Sequence, residues 1–410
     1  MDAGVVKTAA VCRRLSLIVL MGVPFTEQNY KRSGVAYLEQ HFDVTVIDCN
    51  RWLYPTYATL NYQRHPYLKR IEVTSMETFL DVLEDIQPAF AIDCLLPSPM
   101  KQPIRLELIR FDIPLVVKRS GICPYLSRKQ LLLHLLRYDP IDLIRRLLLR
   151  MTKHNVPKAD ELPPDIYLVA GRSASKGASS PRMAKIAIAA DDVHYLNEAK
   201  QAHSARTSSM RNTILFLDDC IADAKDYALV GLAFPMDSQK YYALLRRSFE
   251  IVEQACGCKV VVAAHPDGLH ILGYAEKFGS REVRFGQTAD LALGASLVLG
   301  HASTAMSFAV LEKIPAVLLS CRELHASFKG PHIVAMKHAL GAPLVFMDGE
   351  GEQLALACRE ALVDEARYQA YKQEFLMMPE GHEHQPWEAF FKYANSYGDR
   401  KNNQAVQYVV

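Results

Sequence analysis

Paired cysteines, long apolar runs and a surplus of one charge are all missing from this sequence. Its nine cysteines include no C-x-x-C pair and no Cys/His set at zinc-finger spacing, so neither a disulfide framework nor a metal site is expected. An odd number of scattered thiols suits a reducing compartment, and the expectation is a cytoplasmic protein. Basic and acidic residues nearly cancel, 47 against 45, for a net charge of +2. A dedicated nucleic-acid binder carries a larger surplus, so no nucleic-acid partner is expected, and any affinity for phosphate must come from a local site. The apolar run Leu15–Gly22 behind Arg13-Arg14 is far too short to span a bilayer, and no small-residue cleavage site follows it. It reads as a buried strand ending in a glycine turn rather than as a signal peptide.

Catalytic signatures are missing too. There is no G-x-x-x-x-G-K-[ST] loop, no G-x-S-x-G elbow, and no G-x-G-x-x-G after the first strand, where Gly22-Val23-Pro24-Phe25 stands instead. P-loop hydrolysis, serine-hydrolase chemistry and ordinary dinucleotide oxidoreduction are thereby disfavoured. No internal repeat and no low-complexity block is present.

What is present is enough apolar material for two cores: 410 residues, half of them hydrophobic and 22% charged. Strand-like runs alternate with helical stretches. In the first half they are Leu15–Met21, Val44–Asp48, Phe90–Leu95, Pro114–Lys118, Asp165–Ala170 and Lys185–Ala190, with helices at Tyr30–Gln40 and Met76–Ile86. Such alternation builds βαβ units around a parallel sheet. Leu126–His154 is leucine-rich and basic, seven cations against two acids, and reads either as a packed helix pair or as a surface that docks on an anionic membrane. Arg172–Arg182 reads as a mobile loop and Asn197–Arg211 as a linker. A second α/β unit follows with strands Thr213–Leu217, Lys259–Ala264, Leu297–Leu299 and Ala316–Leu319, helices Lys240–Cys256 and Thr288–Ala295, and a further helix running through Lys313. The tail reads as helix Gly351–Phe375 and an aromatic helix at Trp387–Tyr397. The expected division is 1–200, 212–385, and a returning tail 386–410.

In doubly wound sheets ligands gather at the carboxyl ends of strands. Four polar clusters fall there: Asp191-Asp192, Asp218-Asp219, His265-Pro266 and Gly300-His301-Ala302-Ser303-Thr304. Ser303 and Thr304 fall at a helix start, where hydroxyls and spare backbone N–H groups suit a phosphate; they also suit simple capping. His265 can donate Nε2–H to a phosphate or leaving-group oxygen, aimed by the turn that Pro266 fixes. Taken together, these turns imply two neighbouring strand ends closing on one phosphate or diphosphate. Asp191, Asp192, Asp218 and Asp219 are candidates for a general base, or are turn residues and helix caps. Glu312 stands where it could reach a ribose, or is an exposed helix residue. No divalent-metal ligand set is apparent.

Phe216-Leu217-Asp218-Asp219, Ala263-Ala264-His265-Pro266-Asp267 and the stretch Gly300–Pro315 resemble bacterial surface-polysaccharide glycosyltransferases of the GT-B fold. They are most like those akin to sialyltransferases and Kdo-type (nonulosonic acid) transferases. The likeness covers mainly residues 185–345. It implies two Rossmann-like doubly wound domains facing each other across a cleft. It also implies a CMP-sugar donor, with the HP motif on nucleotide and phosphate and the Ser/Thr motif on the phosphate, which places His265 and Ser303-Thr304 in the donor site. Pro266, Gly300, His301 and Glu312 are counted with them as candidates, and neither a further cofactor nor a metal is expected. The acceptor would be a glycan or lipid-linked, with peripheral contact at the inner face of the membrane. Those families close their acidic motif with glycine; here Cys220 follows Asp218-Asp219, and Val193 follows Asp191-Asp192. A UDP-sugar 2-epimerase and a non-catalytic nucleotide-sugar-binding component of polysaccharide assembly are the alternatives.

Overall fold

The computed structural model describes residues 14–55, 64–96, 98–127, 129–131, 162–176, 183–203, 212–223, 233–381 and 386–407. Two all-parallel sheets organise it. The first has seven strands: β1 Ser16–Met21, β2 Asp43–Asp48, β3 Arg70–Glu72, β4 Phe90–Cys94, β5 Leu115–Arg119, β6 Ile166–Ala170 and β7 Ala184–Ile188, in spatial order β3-β2-β1-β4-β5-β6-β7. The second has six: β8 Thr213–Leu217, β9 Lys259–Ala264, β10 Glu282–Phe285, β11 Ala295–Gly300, β12 Ala316–Ser320 and β13 Leu344–Phe346, ordered β10-β9-β8-β11-β12-β13. Both are doubly wound α/β sheets, as expected.

Central strands such as Ser16–Met21 and Thr213–Leu217 are near-continuous apolar runs because helices cover both faces and leave no wet side for alternation. In the first unit Ile18, Leu20, Phe79, Leu83 and Ile104 fill one face. In the second, Ile214, Phe216, Leu245, Phe249 and Val262 do the same. The opposite faces of both sheets share one core, which runs from Leu17 and Val19 through Val193 and Leu196 to Leu215, Val298, Met306 and Phe308. The two units are therefore joined by packing as well as by the chain.

Two segments hold that junction. Helix Asp191–His203 leaves β7 and lies against helices Thr288–Leu293 and Ser307–Leu311 of the second unit. Its stretch 197–203, expected as linker, is helical, with only Val193, Leu196 and Ala199 buried along one narrow stripe. Helix Pro386–Gln407 returns to the first sheet. There Phe390 packs 5.7 Å from Phe42 and 5.4 Å from Phe90 between ring centroids, and Trp387 lies flush on Gly34.

Other expectations shift. The helix over Tyr30–Gln40 is two short ones, Glu27–Arg32 and Val35–Leu38, separated by Gly34 at φ 82°. Gly351–Phe375 is likewise divided, into Gly351–Arg359, Glu365–Tyr371 and a terminal π turn. Residues 172–175 of the expected loop belong to a short helix, Gly171–Ser175, while 177–182 lie outside the described residues, as does nearly all of the basic stretch 126–154. Among the described residues no helix is long and apolar enough to cross a membrane.

Candidate functional site

The carboxyl edge of the second sheet is organised around Asp218, the first residue past β8. Its Oδ2 accepts the His265 N–H at 2.9 Å and the Tyr274 hydroxyl at 2.7 Å, while Oδ1 accepts the Cys220 N–H at 2.9 Å. Burial pushes its carboxyl upward from the usual range, and the bonds from His265 and Tyr274 pull against that shift. With both oxygens occupied, Asp218 braces the loops. Asp219 differs: its Oδ1 is buried without a hydrogen-bond partner among the described residues, an acceptor with capacity to spare. Cys220 then turns the chain at φ 51°, the left-handed region that favours glycine.

His265 caps the 3₁₀ turn Pro266–His270, its Nδ1 accepting the Asp267 N–H at 3.2 Å. That bond leaves Nε2 to carry the proton of the neutral ring. Nε2 has no partner among the described residues, so the donor expected from the sequence is unspent.

The Gly300–Thr304 turn divides into surface and interior. Thr304 is exposed, and the half-buried Ser303 hydroxyl caps its own turn by accepting the Ala305 N–H at 3.2 Å. Gly300 is the last residue of β11, where an added Cβ would stand 3.1 Å from Met306 Sδ; it serves close packing rather than a tight turn. His301 is fully buried. Its Nδ1–H donates to the Leu319 carbonyl at 2.7 Å and its Nε2 accepts the Tyr241 hydroxyl at 2.8 Å. It was expected beside the donor; dry packing against Phe216 and Tyr241 keeps it in the core instead.

Facing this edge is the carboxyl edge of the first sheet. Cys123, in the loop after β5, donates Sγ–H to the Ala302 carbonyl at 3.6 Å, and burial pushes its thiol up to about 11. Asp191 and Asp192 start the helix after β7 and point to different halves. Asp191 takes both oxygens to Lys118 Nζ at 2.8 and 2.9 Å, within the first unit. Lys118 also sits 5.1 Å from the Trp387 ring centroid and donates to the Arg32 carbonyl. Asp192 Oδ2 accepts the Ser307 hydroxyl of the second unit at 2.5 Å. Burial, assisted by the charge of Asp191 and opposed by Ser307, Arg32 and Lys118, pushes the Asp192 carboxyl up to about 6. A carboxyl raised that far suits a base that works near neutrality.

Glu312 is not the exposed helix residue of one of its two sequence readings. Its side chain, 9% exposed, pairs with Lys200 Nζ at 2.6 Å across the junction. One spatial expectation also changes. β9 and β11 are not neighbours; each pairs with β8. His265 and Ser303 therefore straddle the end of β8 with roughly 10 Å between their strand ends, two strand spacings. Strand order reverses between β8 and β11, the position at which doubly wound sheets take their ligands. Cys123, Lys118, Ser307 and Tyr274 were not singled out from sequence. Each is a lone polar residue in an ordinary segment, and only long-range packing brings it here. Among the described residues no cluster of three or more His, Cys, Asp or Glu could hold a metal ion.

No protein-family model matches the chain, and no curated protein matches it by sequence. Among solved structures, it is similar to a variant of the wall teichoic acid polymerase TagF, at 9% identity over 96% of this chain and 90% of that one, with a TM-score of 0.46. It is similar to the spinosyn rhamnosyltransferase SpnG complexed with thymidine diphosphate, at 12% identity, 89% and 97% coverage and a TM-score of 0.44. The UDP-GlcNAc 2-epimerase of Methanocaldococcus jannaschii matches at 12% identity, 93% and 100% coverage and a TM-score of 0.47.

Proposed function

We propose that this chain is a GT-B-type glycosyltransferase that moves a sugar from a nucleotide donor, a CMP-activated nonulosonic acid, onto a glycan or lipid-linked acceptor. The observation that carries the reading is the set of groups around the end of β8. Among the described residues, the turns that follow β9, β8 and β11 carry an unspent imidazole N–H at His265, a buried acceptor without a partner at Asp219 and the exposed Thr304, all about the switch point of a doubly wound sheet. A nucleotide offers what His265 and Thr304 lack: phosphate oxygens to accept from the imidazole N–H and the hydroxyl.

Asp192, on the facing edge, completes the chemistry. Its carboxylate takes the proton of the acceptor hydroxyl as that oxygen bonds to the anomeric carbon. The bond from that carbon to the phosphate oxygen breaks, and the electron pair leaves with the nucleotide, where the His265 Nε2–H steadies the new charge. Asp191 is held by Lys118 and positions the helix start. Reaction at the cytoplasmic face of the membrane, with the basic stretch 126–154 against the lipid, belongs to the same proposal.

Thermal melting with CMP, UDP and ADP tests it. A ligand bound only by the folded chain adds about 2.7 kcal/mol at a hundred times its Kd. CMP is expected to raise the melting temperature most, and His265→Ala to abolish the rise. Preference for UDP, with epimerised product in the absence of acceptor, would point to a UDP-sugar 2-epimerase. No stabilisation by CMP would refute the CMP-donor reading.

A further inference from the structure

Tyr274 lies between two 3₁₀ turns, Pro266–His270 and Ala275–Phe278, and is 2% exposed. It touches the His265 loop twice. Its hydroxyl donates to Asp218 Oδ2 at 2.7 Å, the same oxygen that accepts the His265 N–H at 2.9 Å. Its ring lies against Gly268, where an added Cβ would stand 2.4 Å from the ring edge. Gly268 in turn donates its N–H to the His265 carbonyl at 2.9 Å. The ring itself is fixed by Phe278 and Phe285, at centroid distances of 5.5 and 6.4 Å, and by Lys277 Nζ, 5.7 Å from its centroid. Both ends of the His265 turn are thus held by one side chain.

We propose that Tyr274 is the positioning residue of His265: its hydroxyl secures the His265 amide through Asp218, its ring fixes the turn at Gly268, and together they present Nε2–H beside the end of β8. The proposal rests on the reading of His265 as the donor to the nucleotide phosphate. The physical reason lies at Asp218, which is 6% exposed. Without the tyrosine hydroxyl this buried carboxylate loses a donor that water does not replace, and the protonated form gains. A protonated Oδ2 accepts poorly, the His265 amide is released, and the turn that pins Nδ1 to the Asp267 N–H loosens. The imidazole then samples both tautomers.

Tyr274→Phe keeps the ring on Gly268 and removes only the hydroxyl. ¹⁵N spectra of histidine-labelled protein, with His265→Ala assigning the signal, read the ring directly, and calorimetry reads CMP affinity. The wild type is expected to show His265 as a single Nε2–H tautomer. Folded Tyr274→Phe is expected to show averaging between the ring nitrogens and about tenfold weaker CMP binding. A residue that only supported the fold would lower the melting temperature without altering the tautomer. Wild-type ring signals and CMP affinity in the folded variant would overturn the proposal. So would tautomer averaging in the wild type, a measurement that needs no variant. If CMP fails to bind the wild type, the nucleotide reading falls, and the ring spectra still decide the part played by Tyr274.

Discussion

Asp192→Asn should make the protein more stable and less active, and the gain should depend on pH. In the folded chain the Asp192 carboxyl is pushed from 3.8 to about 6, first by burial. A shift of that size corresponds to about 3 kcal/mol between the two protonation states. The folded state holds its proton more tightly than the unfolded chain, so this group makes stability fall as pH rises from about 4 to about 6. Above that window the full cost of holding the carboxylate is in force; below about 4 it vanishes. Asparagine removes the titration while its amide oxygen can still accept from the Ser307 hydroxyl. The variant is therefore expected to melt several degrees above the wild type at pH 7.5 and together with it at pH 3.5. Transfer activity should fall at least about a hundredfold, the usual contribution of a general base, and the wild-type rate should show an acid limb near pH 6. A lower melting temperature at pH 7.5, or an equal shift at both pH values, would refute this account of Asp192.

Three further outcomes separate site from scaffold. His301→Ala leaves the Leu319 carbonyl and the Tyr241 hydroxyl unpaired in dry surroundings, and should cost about 3 kcal/mol in thermal or urea unfolding, with CMP affinity unchanged. Glu312→Gln breaks the bond to Lys200 and should cost about 1 kcal/mol without altering nucleotide affinity; a selective loss of binding would assign Glu312 to the ribose. Gly34→Ala asks for a side chain at φ 82°, with its Cβ 1.8 Å from Trp387 Nε1. Displacing that buried ring should cost about 3 kcal/mol or more, measured as a drop in melting temperature.

Central strands were legible because burial on both faces turns them into unbroken apolar runs. Edge strands were not: Arg70–Glu72 and Glu282–Phe285 carry charges on short, half-covered segments. Helix Lys101–Arg110 escaped notice because Pro103 interrupts its pattern and only Ile104, Arg105 and Leu108 are buried. Within the candidate site, His265 was legible from its place at a strand end followed by proline. The inward turn of His301 was not, since it depends on Tyr241, sixty residues earlier, and on the backbone of the next strand. The four aspartates look alike as letters. Long-range partners separate them: Lys118 for Asp191, Ser307 for Asp192, His265 and Tyr274 for Asp218.

Helix Asp191–His203 follows a strand of the first sheet, to which Asp191 is bridged through Lys118, yet it also bonds the second unit through Ser307, Glu312 and Asp290. The chain passes from one half to the other at Ala189-Ala190, where the Ala190 N–H meets the carbonyl of Leu376, the last residue of the π turn, at 2.7 Å. A hinge there, rather than beyond residue 203, would let the helix swing as one piece with the half that carries His265. Asp192 and His265 would then keep their spacing through such a swing. The contact that stretches on opening would be the Lys118–Asp191 bridge, which makes it the place to look for a label that reports the swing.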